Sequence, residues 1–215
     1  MNKMQVQQKE SKCEAGSSID KLANHAGKPR IFTVWRKSSM GFQGTDGFSV
    51  YDDSGRLAFR VDNYSRRQRY LTKEIVLMDG DGKALLCLRP RILSMHDRWN
   101  AYEVEECRNK QPNSKLFSMK RYSLLQNIDK KEVSITKLAD NNKAKLVPSF
   151  RIEGCFEKGS CKIYSSEGEE VAQISRKTTG EASVLLGNDV FRLVIQPGFD
   201  CSQVMAFVIV MDRIR

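Results

Sequence analysis

Histidine is scarce in this chain of 215 residues: there are two, His25 and His96. No Gly-x-Ser-x-Gly, His-Glu-x-x-His, Walker-type or dinucleotide-binding glycine pattern occurs, so the common signatures of hydrolases, zinc proteases and nucleotide enzymes are missing. Six cysteines are present (Cys13, Cys87, Cys107, Cys155, Cys161, Cys201), but none forms a Cys-x-x-Cys pair. That removes the usual zinc and dithiol spacings and points to free thiols in a reducing compartment. Cys155 and Cys161 could meet across a hairpin, but two small buried hydrophobes is the better reading. The longest apolar run, Val204 to Met211, has eight residues, far short of the roughly twenty that a spanning helix needs. Met1 to Gly27 has no apolar stretch of the kind a secretory signal carries. Asn2 excludes N-myristoylation, and the last five residues offer no prenylation cysteine. These features lead to the expectation of an intracellular protein.

What the chain has in surplus is positive charge, 36 Lys+Arg against 26 Asp+Glu, a formal +10. The surplus is uneven: +3 in residues 1–30, +3 in 31–110, +5 in 111–150 and −1 in 151–215. A basic surface concentrated in one part of a chain attracts polyanions, whether nucleic acid or acidic headgroups. A solvated basic face that binds nothing specific has the same composition.

Residues 1–28 are polar without an apolar period and read as a disordered tail; 29–215 read as one domain. From Ile31 onward, short apolar runs alternate with Gly, Asp, Asn and Ser, the pattern of an all-β sandwich or barrel. One hairpin motif recurs, ending at Gly55, Gly82 and Gly168. Five positions before each glycine stands Val50, Leu77 or Ile163, then Tyr51, Met78 or Tyr164, then Asp52, Asp79 or Ser165. The short polar side chain can close an Asx-type turn, and the glycine accepts positive φ. Asp79-Gly80-Asp81-Gly82 resembles a calcium loop only superficially, because Lys83 and Pro90 stand where ligands at loop positions 5 and 12 would be needed.

The run Val204–Met211 is ambiguous in itself, since its β-branched content suits a buried strand. Its flanks suit a helix: Asp200 with Gln203 resembles a capping box, and Arg213 and Arg215 lie where cations favour a helix end. A helix there, apolar on every side, must be enclosed, with Val204, Phe207, Val208 and Met211 in its core.

No clustered acid, base and nucleophile is evident, so the expectation is a protein with no catalytic residues, cofactor or metal. The remaining candidates are basic: Arg66, Arg67 and Arg69 with Tyr64 and Tyr70 beside them, Arg89 and Arg91 bracketing Pro90, and Lys120-Arg121 before Tyr122. The planar guanidinium donates in pairs and suits phosphate. No zinc finger, helix-turn-helix or RNA-binding sheet signature accompanies the charge, so sequence-specific reading of nucleic acid is not expected.

Several segments resemble the plant LURP-one-related proteins: Val34-Trp35-Arg36-Lys37-Ser38, Gly47 to Asp52, Phe59 to Tyr64, Glu74 to Asp79, Asp97-Arg98-Trp99 and the closing run Asp189 to Asp200. At Arg89-Pro90-Arg91 the chain departs from the family's common Arg-Arg-Lys. The resemblance implies a closed antiparallel barrel of about twelve strands around a hydrophobic C-terminal helix, as in tubby C-terminal domains and phospholipid scramblases. It also implies a defence-related protein tethered to acidic phospholipids, phosphoinositides above all; with the missing catalytic motifs, the expectation is a non-enzymatic monomer. The alternative is a soluble regulatory protein whose basic face meets protein or nucleic acid, with partners the sequence does not name.

Overall fold

The computed structural model describes residues 27–38, 47–61, 74–91, 98–107, 115–122, 132–137, 148–156, 158–179 and 184–213. The tail expected over 1–28 falls almost wholly outside them. In chain order the strands are β1 (Arg30–Ser38), β2 (Gly47–Asp52), β3 (Leu57–Val61), β4 (Ile75–Asp79), β5 (Ala84–Pro90) and β6 (Arg98–Tyr102). After the short helix α1 (Val104–Cys107) come β7 (Phe117–Tyr122), β8 (Glu132–Lys137), β9 (Pro148–Cys155), β10 (Ser160–Ser165) and β11 (Glu170–Arg176). The two-residue strands β12 (Thr178–Thr179) and β13 (Val184–Leu185) form a small hairpin, followed by β14 (Val190–Ile195) and helix α2 (Cys201–Arg213). The protein is thus mainly β and antiparallel, with a C-terminal helix, as the alternating runs and the flanks of 204–211 led us to expect.

The pairing order is β1-β14-β11-β10-β9-β8-β7-β6-β5-β4-β3-β2. β1 is hydrogen-bonded to β14 on one side and to β2 on the other, so each of these strands has two neighbours. Period-two alternation supplies the interior: Phe32 and Val34, Phe48 and Val50, Phe59 and Val61, Ile75 and Leu77 all bury inward. The interior they form is filled by α2, whose Val204, Phe207, Val208 and Met211 are buried together with the intervening residues. The Phe207 ring meets Phe117 edge-on at 4.9 Å and Phe150 at 5.2 Å. The helix starts where the sequence marks it. Asp200 Oδ1 accepts hydrogen bonds from the backbone N–H groups of Ser202 (2.7 Å) and Gln203 (3.1 Å), satisfying donors that the first turn leaves open.

The recurring motif makes the same turn three times. Asp52 Oδ1 accepts from Ser54 N and Arg56 N, Asp79 Oδ1 from Asp81 N and Lys83 N, and Ser165 Oγ from Glu167 N and Glu169 N. Gly55, Gly82 and Gly168 close these turns with φ of 79°, 87° and 88°. Asp79 therefore acts as a turn acceptor. In each hairpin the register slips between the aliphatic residue and the Tyr or Met after it: Val50/Tyr51, Leu77/Met78 and Ile163/Tyr164. The aliphatic residue is fully buried, and its neighbour is half-exposed on the outer face. The bulge lies on the returning strand, where an extra residue bends the pair and increases its twist.

All three turns, and the link from β14 to α2, lie at one end of the structure; call it the turn end. Strands β1, β3, β5, β7 and β9 run to the other end, which α2 approaches with its C-terminus. Gly80 shows how closely the turn end is packed. A Cβ placed on it would lie 2.0 Å from the Leu57 carbonyl oxygen, a backbone atom, whereas a Cβ on Gly82 meets nothing within 4 Å. Gly80→Ala is therefore expected to cost about 3 kcal/mol through overpacking. Gly82→Ala should cost about 1–2 kcal/mol, for its positive φ alone. Urea titration of the two variants checks the order; a smaller loss for Gly80→Ala would contradict the close approach.

Candidate functional site: a cationic row on the outer wall

Alternation on β6 buries Trp99 and Ala101 inward and leaves Arg98 on the outer wall. Its partner across β7 is Lys120, which follows the inward Met119. On the other side, the backbone N–H of Arg91 donates to the Arg98 carbonyl at 2.8 Å, extending the β5–β6 ladder by one residue. Arg91, Arg98 and Lys120 thus form one row across three adjacent strands, spaced by the inter-strand distance of about 4.8 Å. The row lies at the end opposite the hairpin turns. Lys115, just before β7, senses it: burial, and then the positive charges of Arg98 and Arg91, hold its ammonium below the ordinary lysine range. Among the described residues no carboxylate pairs with Arg91, Arg98 or Lys115. The like charges are held together by the sheet register, which is fixed by the inward core residues.

The seven basic candidates read from the sequence fall differently. Arg91 and Lys120 belong to the row. Arg89 stands one row nearer the turn end, where its Nε donates to Glu74 Oε2 at 2.7 Å and its guanidinium lies 5.8 Å from the Tyr102 ring centroid. Its charge is therefore partly spent on a neighbouring strand. Arg121 follows Lys120 in β7, and its side chain lies outside the described set. Arg66, Arg67 and Arg69 lie outside the described residues; the residues flanking that connection, Val61 and Glu74, stand at the same end as the row. Arg98 and Lys115 are members that sequence reasoning missed. The signal for Arg98 was available in the alternation Arg98-Trp99-Asn100-Ala101, which puts Arg98 on the face opposite Trp99.

A second basic residue has an interior role. Arg36 on β1 is 5% exposed and donates through Nη1 to Asp212 Oδ1 on α2 at 2.9 Å, and through Nη2 to the Asn188 carbonyl at 2.7 Å. Its guanidinium lies over the Phe191 ring at 4.6 Å and the Phe156 ring at 5.4 Å. This cluster anchors the last turn of α2 to the wall.

Among the described residues the cysteines show no reactive arrangement. Cys161 pairs in register with Gly154 and faces inward, while Cys155 pairs with Ser160, so the two thiols point to opposite faces of the hairpin. Both are free, and burial, with Cys155 second, pushes the Cys161 thiol up to about 12. Cys155 is only half-buried, so the reading of two buried hydrophobes holds for Cys161 alone. Among the described residues, no group of three or more His, Cys, Asp and Glu side chains could hold a metal ion. No helix among them is long and apolar enough to cross a membrane. His25 and His96 lie outside the described set. What the outer row offers chemically is anion binding.

Comparison with known proteins places this architecture. The family model described as LURP-one-related matches residues 30–212. The chain is similar to protein LURP-one-related 5 of Arabidopsis thaliana, at 38% identity over 87% of this chain and 84% of that protein. It is also similar to protein LURP-one-related 12 of the same plant, at 36% identity over 83% and 76%. Its fold is similar to that of an Arabidopsis thaliana protein solved by X-ray crystallography, with a TM-score of 0.57 at 20% identity over 86% of this chain and 90% of that one. The match runs from the first strand to the last turn of the enclosed helix, and on it the chain belongs to the LURP-one-related family.

Proposed function

We propose that the chain is a non-enzymatic module that binds acidic phospholipid headgroups, phosphoinositides above all, at an intracellular membrane, and that its fold is a closed barrel of the tubby type. The ring of strand pairings around α2 supports the second part. The single observation that carries the first part is the row Arg91–Arg98–Lys120, set side by side by the register of three adjacent strands. Cationic side chains on adjacent strands of one sheet suit a headgroup that presents several phosphate oxygens at once. A bound phosphate relieves the repulsion within the row. Defence-related signalling is the setting that the family resemblance suggests for such a module.

Each Lys or Arg near an anionic surface contributes about 1 kcal/mol, so replacing all of Arg91, Arg98 and Lys120 by Ala should weaken vesicle binding by on the order of a hundredfold. Sedimentation with phosphoinositide-bearing vesicles checks this, with circular dichroism confirming that the variant folds. Unchanged sedimentation of the triple variant would move the site elsewhere. Equal uptake of duplex DNA by the native chain would reduce the row to unspecific charge.

A further inference from the structure

Among the described residues the exposed large hydrophobics are two, Ile31 at 38% and Trp35 at 45%. Both lie on the outer face of β1, and the register sets Ile31 against Val194, Thr33 against Arg192 and Trp35 against Val190 on β14. Val190 and Val194 are half-buried, and Arg192 is exposed between them. Lys177 reaches over the same face, its Nζ donating to Thr33 Oγ1. The outward positions flanking these on β2 and β11 carry no charge. The face is therefore an indole and aliphatic surface with two cations and no carboxylate. Trp and Arg are the side chains most enriched where protein partners contribute most to affinity.

We infer that this β1–β14 face docks an acidic peptide segment of a partner protein that carries aromatic or aliphatic side chains. Charge complementarity selects an acidic partner. The ring order selects protein rather than lipid: β14 and β6 each have five strands between them in either direction, so Arg192 and Arg98 stand on opposite walls. A bilayer that meets the Arg98 wall faces away from Trp35. In that one respect the choice of occupant rests on the proposed lipid site; the composition of the face does not. A chain with both faces joins a membrane to an acidic protein.

The test titrates the full chain into a fluorescently labelled random copolymer of glutamate and tyrosine, read by polarisation. Saturable binding is expected, weakened at least tenfold by Trp35→Ala and by Arg192→Glu and unchanged when Arg91, Arg98 and Lys120 are all replaced by Ala. Both face residues are exposed, so the variants should keep the native melting transition. Absence of saturable binding, or binding that follows the triple variant instead, overturns the inference. So does protection of Trp35 from acrylamide quenching by phosphoinositide-bearing vesicles, which would make lipid the occupant; the buried Trp99 contributes little to that signal. Vesicle binding that depends on the row, without copolymer binding, sinks this inference and leaves the lipid site standing. Copolymer binding that depends on Trp35, without vesicle binding, does the reverse.

Discussion

Val208→Asp is expected to leave no cooperatively folded protein. Val208 is 1% exposed at the middle of α2, whose residues from Val204 to Asp212 are all buried. A carboxylate there must either stay charged in an apolar interior or be protonated with its hydrogen bonds unmade. Either course costs several kcal/mol, much of the 5–15 kcal/mol that typically holds a domain together. Surface helices tolerate such changes because the side chain can swing to water, and here every neighbouring position from Val204 to Met211 is buried. Far-UV circular dichroism with a urea titration is the measurement. A soluble variant with a sharp transition near that of the native chain would refute the enclosed-helix reading. Phe207→Ala, which removes the ring between Phe117 and Phe150, should fold but lose about 3–5 kcal/mol to the cavity.

Asp212→Ala is expected to destabilise the native state by about 3–5 kcal/mol. The Asp212 side chain is 0% exposed and that of Arg36 is 7%, so removing the carboxylate leaves a guanidinium buried against two phenyl rings without its hydrogen-bonded counter-charge. Asp189 Oδ1, 3.8 Å from Arg36 Nη2, lies beyond hydrogen-bond distance, so it softens the loss without replacing the bond. Replacing both partners with Arg36→Met and Asp212→Leu should recover most of the loss, because the cost arises from the orphaned charge more than from the missing bond. Urea midpoints of the two singles and the double form the cycle that decides it. A loss below about 1 kcal/mol for Asp212→Ala would mean that the pair behaves like a solvated surface bridge. The pair ties the last turn of α2 to β1.

How much of this was legible in the sequence depends on sequence separation. The hairpin turns were readable because everything they need lies within six residues: the Asx or Ser acceptor, the positive-φ glycine, and the aliphatic residue followed by Tyr or Met. The start of α2 was readable for the same reason, since Asp200 caps donors only two and three residues away. The Arg36–Asp212 contact spans 176 residues, and nothing near Arg36 announces it. The pairing of β1 with β14 is equally remote, and periodicity cannot distinguish an edge strand from one paired on both sides. The family resemblance, not the alternation, suggested that the strands surround the helix. The site divided along the same line. Arg89 and Arg91 look equivalent in sequence, but Glu74 on the neighbouring strand holds Arg89, while Arg91 joins Arg98 and Lys120. Arg98 was passed over because its informative neighbour is its register partner Lys120, remote in sequence.

The central claim is that the surplus positive charge is organised into a headgroup site and is more than a solubilising field. Its most direct test is sedimentation of the native chain with phosphatidylcholine vesicles, with and without phosphoinositide, at low and moderate salt. The row predicts binding to the phosphoinositide vesicles alone, weakened but still present at moderate salt, because the cations are fixed on a sheet and engage the phosphates at contact distance. No binding at either salt, or binding that vanishes at moderate salt and is matched by any anionic lipid, would contradict it.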